Sequence, residues 1–322
     1  MRATSSAGVR ITQETSVQAS DSALSLEGVG EPQCVWEAGA VLGEGALWSV
    51  REQCLYWVDI LSCRIHRLDP ATGQRASWPM PEEVSTLAER REGPGLAIGL
   101  RRGLALWDPA HPEQAPQYLC QPEPERSGNR FNDGKCDAQG RYWLGSMDFA
   151  CEAPTGALYR VDATGGHERL DDGFAVSNGP TWIDEGRVLL FNDTVKARVL
   201  AYDFDLAAGR LSGRREWLRL GRGDGLPDGM TTDAQGRVWI CHWGGACVSC
   251  HDPHTARELG RVRLPVSQVT SCAFGGPDLH TLYITSARWE LGPEALASEP
   301  LAGGLFALRL PAQGRPAASF AG

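Results

Sequence analysis

Lysine is almost missing. Only Lys135 and Lys196 stand among the 31 basic residues, so a Schiff-base mechanism has two candidate residues in the whole chain. Excess positive charge is missing too: 40 acidic residues outweigh the 31 basic ones, for a net charge of −9. Nucleic-acid binders usually show a basic face, so no nucleic-acid partner is expected. The longest aliphatic runs, such as Val188–Phe191, fall far short of the ~18 residues of a spanning helix, and no membrane partner is expected. Residues 1–31 are rich in Ser, Thr, Ala and Gln and lack the apolar core of a secretory signal, which makes cytoplasm the expected compartment. No G-x-S-x-G elbow occurs, so a serine hydrolase has no visible nucleophile. The 10 cysteines are scattered at irregular spacing, unlike a short Cys-dense disulfide scaffold. They read as mostly buried, reduced thiols.

Glycine is abundant, at 38 of 322 residues. The chain is turn-rich, globular and long enough to bury a large core. Four dipeptides pair a side-chain oxygen with glycine: Glu44-Gly45, Asp133-Gly134, Asn178-Gly179 and Asp228-Gly229, at spacings of 89, 45 and 50 residues. The first gap is close to double, and a further unit fills it from Ser85 to Asp108; another begins near Thr270. Each start is followed by an aromatic-rich run, as in Asp137–Trp143 and Asp233–Trp239, which share D-A-Q-G-R-x-W. Short alternating runs punctuated by Gly and Asp read as β-strands. Six units of about 45 residues, with about four strands each, predict an all-β, six-bladed β-propeller. Cys34-Val35-Trp36-Glu37 could add an outer strand closing the ring against the last blade. Residues 1–33 are expected to be a disordered extension and 34–322 a single propeller domain.

Quasi-symmetry would bring the starts of the inner strands to one axis. Convergent carboxylates repel unless a cation neutralises them, and Glu44, Asn178 and Asp228 supply oxygens suited to a hard divalent ion. The plainer reading of Asp-Gly and Asn-Gly is a turn. Glu44 weakens it, because Glu is a poor turn residue yet keeps the register of the others. Cys247–His251 matches C-x-x-C-H, but haem attachment needs export, and the segment aligns with a blade strand. Trp48, Trp57, Trp143 and Trp239 read as blade core.

Five motifs together resemble the SMP-30/gluconolactonase/LRE family. They are Leu42-Gly43-Glu44-Gly45 with Trp48, Arg130–Lys135 (R-F-N-D-G-K), Ser177-Asn178-Gly179 with Trp182, Pro227-Asp228-Gly229, and Thr270–Gly276. The resemblance covers about residues 34–310 and implies a propeller with one divalent metal in its channel. It places Glu44, Asn178 and Asp228 on the metal, and Arg130 and Asn132 on the substrate. Ca²⁺ is the first candidate, with Zn²⁺, Mn²⁺, Mg²⁺ and Fe²⁺ as others. The family's acidic loop contact falls on Ala150 here, so that contact is either absent or supplied by Asp148 or Glu152. The implied activity is hydrolysis of a small-molecule sugar lactone to the aldonic acid, with Asp228 as the base. A monomer or weak homo-oligomer is expected. Two other classes stay open: a calcium-binding regulatory propeller without important turnover, and a protein-interaction scaffold.

Overall fold

The computed structural model describes Leu26 and residues 28–322. The expected disordered extension therefore falls mostly outside the described residues. From Gln33 on, the chain forms six antiparallel four-stranded sheets. Five are built in sequence order, over residues 43–79, 84–120, 129–174, 177–219 and 226–263. The sixth takes three strands from 269–309 and its outermost strand, Gln33–Trp36, from the start of the chain. The closing strand foreseen at Cys34–Glu37 thus exists, one residue earlier. Each innermost strand touches those of both neighbouring blades, and the first (Gly43–Ser49) meets the last (Val269–Gly275). This is the all-β, six-bladed β-propeller that the repeat predicts.

The repeat has a physical cause. Asp137 accepts hydrogen bonds from Arg141 Nε at 2.7 Å and Trp143 Nε1 at 2.8 Å. Asp233 does the same for Arg237 Nε at 2.7 Å and Trp239 Nε1 at 3.0 Å. The D-A-Q-G-R-x-W run is therefore a clamp: one buried carboxylate ties a turn to the tryptophan of the next strand. Trp57, Trp143 and Trp239 are fully buried, as is Trp48 almost entirely. Cys247–His251 is a blade strand, and all ten cysteines are free.

The oxygen–glycine dipeptides are not turns. They lie inside the innermost strands, where the pairing register slips: between Glu44 and Leu47, Phe131 and Gly134, Asn178 and Thr181, and Pro227 and Met230. Such bulges bend a strand and re-aim its side chains. Gly45 has φ +60°, and a Cβ there would sit 3.0 Å from Ser85 O of the next blade. Gly179 has φ +78°, and a Cβ there would come within 2.6 Å of Met230 Cε. Only glycine meets both demands cheaply.

Two features lie outside the repeat. A short helix, Pro293–Ser298, is inserted before the last strand of the sixth blade. After Leu310 the chain crosses the ring. Gly314 bridges to Asp233 of the fifth blade and Phe320 to Arg90 of the second, while Ala321 N–H donates to Gly140 O of the third. Phe320 is fully buried against Tyr142, with ring centroids 6.1 Å apart. Among the described residues, no helix is long and apolar enough to cross a membrane.

Candidate functional site

The innermost strands enclose two cavities, one toward each end of the channel. The larger, about 310 Å³, lies under the C-terminal crossing segment and is bordered by Gly45–Trp48, the later part of the first inner strand. The smaller, about 170 Å³, lies at the start of the inner strands and collects Glu44, Arg130, Asn132, Asn178 and Asp228. The candidate site residues gather in the smaller one. All five of these residues are buried.

A chain of hydrogen bonds fixes their orientation. Arg130 Nη1 donates to Asn132 Oδ1 at 2.5 Å and to Phe131 O at 3.1 Å. Asn132 Nδ2 donates to Asn178 Oδ1 and to Ser177 O, both at 2.8 Å. Asn178 Nδ2 donates to Thr194 Oγ1 at 3.1 Å, and Thr194 donates in turn to Pro227 O at 2.8 Å. Arg130 and Asn132, two apart on one strand, thus share a face as expected. Both amide hydrogens of Asn132 are spent, which leaves a lone pair on its Oδ1. Among the described residues no acceptor meets Arg130 Nε or Nη2.

The electrostatics are unfavourable by design of the fold. Burial pushes the Glu44 carboxyl up, and the nearby Asp133 charge adds to it. Burial pushes Asp228 well above the carboxylate range, with Glu44 and Asp133 repelling it further. The two carboxyls also share a hydrogen bond. Asp133 borders the larger cavity; its Oδ1 accepts from Gly134 N–H at 2.7 Å, while its buried Oδ2 has no partner.

Among the described residues, no group of three or more His, Cys, Asp or Glu side chains could hold a metal ion. The donor set here is mixed: two carboxylates and one amide. Two buried carboxylates forced together, beside an amide oxygen already oriented by Asn132, fit a hard divalent cation.

Asp148 and Glu152 do not come to this cavity. The Asp148 carboxylate accepts the N–H groups of Glu152 at 3.0 Å and Ala153 at 2.8 Å, and these bonds hold its pKa low. It shapes its own loop. Glu152 is exposed and does not line the cavity. The same loop sends Cys151 into the cavity instead. Thr194, Trp243, Trp289 and Glu290 also line the cavity. None of them belongs to the repeated strand starts, so periodicity carries no signal for them.

The protein is thus a six-bladed propeller with oxygen donors gathered at one mouth of its channel. The chain belongs to the SMP-30/gluconolactonase/LRE-like family, whose sequence profile matches residues 42–288. It is 38% identical over 292 residues to 6-deoxy-6-sulfogluconolactonase of Pseudomonas putida, covering 90% of this chain and 98% of that one. It is 34% identical over 280 residues to human regucalcin, covering 85% and 92%. Among solved structures, regucalcin from Agrobacterium tumefaciens, described as a calcium-binding protein, superposes with a TM-score of 0.85 at 28% identity, covering 91% of this chain and 97% of that one.

Proposed function

We propose that the protein is a metal-dependent sugar lactonase that opens an aldono-lactone to the aldonic acid. The observation that carries this is the buried pair Glu44 and Asp228, with Asp228 raised further by the Glu44 charge, set beside Asn178 and facing the free N–H groups of Arg130. Relatives named as lactonases support the chemistry. Glu44, Asn178 and Asp228 would hold the ion, with Ca²⁺ first among the candidates. When bound, such an ion supplies carbonyl polarisation and a water of lowered pKa.

The remaining steps belong to the chain's own residues. Arg130 offers Nε and Nη2 to the oxygens of the lactone, and the Oδ1 of Asn132 accepts a sugar hydroxyl. Asp228 takes the proton of the attacking water as the new C–O bond forms. The acyl–oxygen bond then breaks, and the ring oxygen leaves as a hydroxyl with that proton. Burial raises the basicity of Asp228, which suits a base. Asn132 also orients Asn178 for an ion, but the unpartnered N–H groups of Arg130 are not needed by a regulatory protein that only binds calcium.

The test follows acid release from pentono- and hexonolactones by chelated and metal-restored protein, beside Asp228→Ala. Metal-dependent turnover, lost in the variant, is the expected result. Tight Ca²⁺ binding without turnover on any lactone would favour the regulatory reading.

A further inference from the structure

The rim of the site carries an acidic residue from an unexpected blade. Residues 288–291 form a turn after the second strand of the sixth blade, with Leu291 N–H donating to Arg288 O at 3.1 Å. The turn is clamped to the segment leading to Glu44. Trp289 N–H donates to Val41 O at 2.9 Å, and Arg288 N–H to Ala40 O at 3.2 Å. Trp289 packs against Trp243 with ring centroids 6.2 Å apart, making an apolar wall. Glu290 lies at the tip, lines the same cavity as Arg130 and Asp228, and is exposed at its mouth. Among the described residues no donor reaches its carboxylate. Cys151 is close enough for the Glu290 charge to act on its thiol, which is pushed up mainly by burial. Both rim residues hold left-handed backbones, with φ +62° at Cys151 and +63° at Glu290.

We propose that Glu290 is the carboxylate that contacts the sugar hydroxyls, and that it makes the site select neutral lactones over anionic ones. This rests on the lactonase reading. The loop after Met147 brings no carboxylate to the cavity: Asp148 lies outside its lining with Oδ2 accepting two N–H groups of its own loop, Glu152 is exposed and outside the lining, and Ala150 has no polar group. Glu290 has no protein partner to compete with a hydroxyl. Carboxylate acceptors form the stronger, charge-assisted class of hydrogen bond. The lining's charged groups are Glu44, Asp228 and Glu290 against Arg130 alone. A divalent ion balances Glu44 and Asp228, and Arg130 then offsets Glu290 in sum; the repulsion of a sulfonate or carboxylate on the sugar is local, at the mouth where Glu290 is exposed.

Gluconolactone and 6-deoxy-6-sulfogluconolactone form a matched pair of probes, neutral and anionic. The metal-loaded wild type should show a kcat/KM at least about tenfold higher for the neutral one. Glu290→Gln should raise the KM for gluconolactone roughly tenfold with kcat little changed. Glu290→Lys should reverse the preference, a change that loss of packing at an exposed tip cannot produce. Unchanged KM and unchanged preference in both variants, with an active wild type, would overturn the proposal alone. A wild type inactive on both lactones would overturn the lactonase reading, and this proposal with it.

Discussion

Glu44 and Asp228 are each buried and each pushed above the ordinary carboxylate range, first by burial and then by a neighbouring carboxylate: Asp133 for Glu44, Glu44 for Asp228. A carboxyl whose folded pKa lies above its unfolded value destabilises the fold at neutral pH, because the unfolded chain ionises more readily. Asp228→Asn removes one of the repelling charges and keeps the shape. In chelator at pH 7.5 this variant should be more stable than wild type by about 1 kcal/mol or more, measured by urea denaturation. The same change should cut lactone hydrolysis by roughly 10²–10⁴-fold. Added Ca²⁺ should then stabilise the wild type and leave the variant nearly unmoved. Arg130, Asn132 and Asn178 were legible as candidates, and the fold brings them to one cavity, because each sits in a short motif on an inner strand. Thr194, Trp243 and Glu290 were not, because they come from strand ends and turns with no repeated pattern.

At the scale of the element, two buried devices carry the blades. In the fifth blade, Asp233 holds Arg237 and Trp239 together with its side chain wholly buried. Asp233→Ala should cost about 3–5 kcal/mol, because it leaves a guanidinium and an indole N–H without their partner. Denaturant titration would check this, and Asp233→Asn should recover part of the loss. In the first blade, His66 stacks on Trp57 at 4.3 Å between ring centroids, and its Nδ1 lies 2.6 Å from Ser77 Oγ. Burial is the main cause that lowers its pKa from 6.5 to about 4. The unfolded chain therefore takes up a proton near pH 6.5 that the folded chain refuses until about pH 4. Stability from this group is complete above pH 6.5 and falls as pH drops toward 4, by about 3 kcal/mol in all. His66→Gln should flatten the acid limb of a stability–pH curve. The clamp was visible as a repeated D-A-Q-G-R-x-W run, although its hydrogen bonds were not. His66 was invisible, since its partners come from three separate strands.

For the whole molecule, closure depends on both ends of the chain. Gln33–Trp36 completes the last blade, and Trp36 also meets Trp57 of the first at 5.5 Å between ring centroids. The C-terminal segment ties the fifth, third and second blades across the channel. Phe320→Ala empties a fully buried site and should cost about 3–5 kcal/mol, read as a lowered denaturation midpoint. Deleting residues 311–322 should lower it further, since the crossing hydrogen bonds go too.

The sequence by itself determined the six-bladed architecture, because a repeat with a fixed strand order can bury its apolar faces only by stacking against copies of itself. It also marked Glu44, Asn178 and Asp228 as equivalent strand starts, which the ring gathers at one mouth, whereas Asp133 at the same repeat position borders the other cavity and Arg130 and Asn132 were marked only by the family motif. Tertiary structure alone decided that the Asp-Gly and Asn-Gly pairs are strand bulges and not turns: the approach of the neighbouring blade, absent from local sequence, selects between them. It alone decided that Asp148 serves its own loop while Glu290 stands at the rim. Their roles depend on which backbone groups lie within reach, and spacing along the chain does not carry that distance.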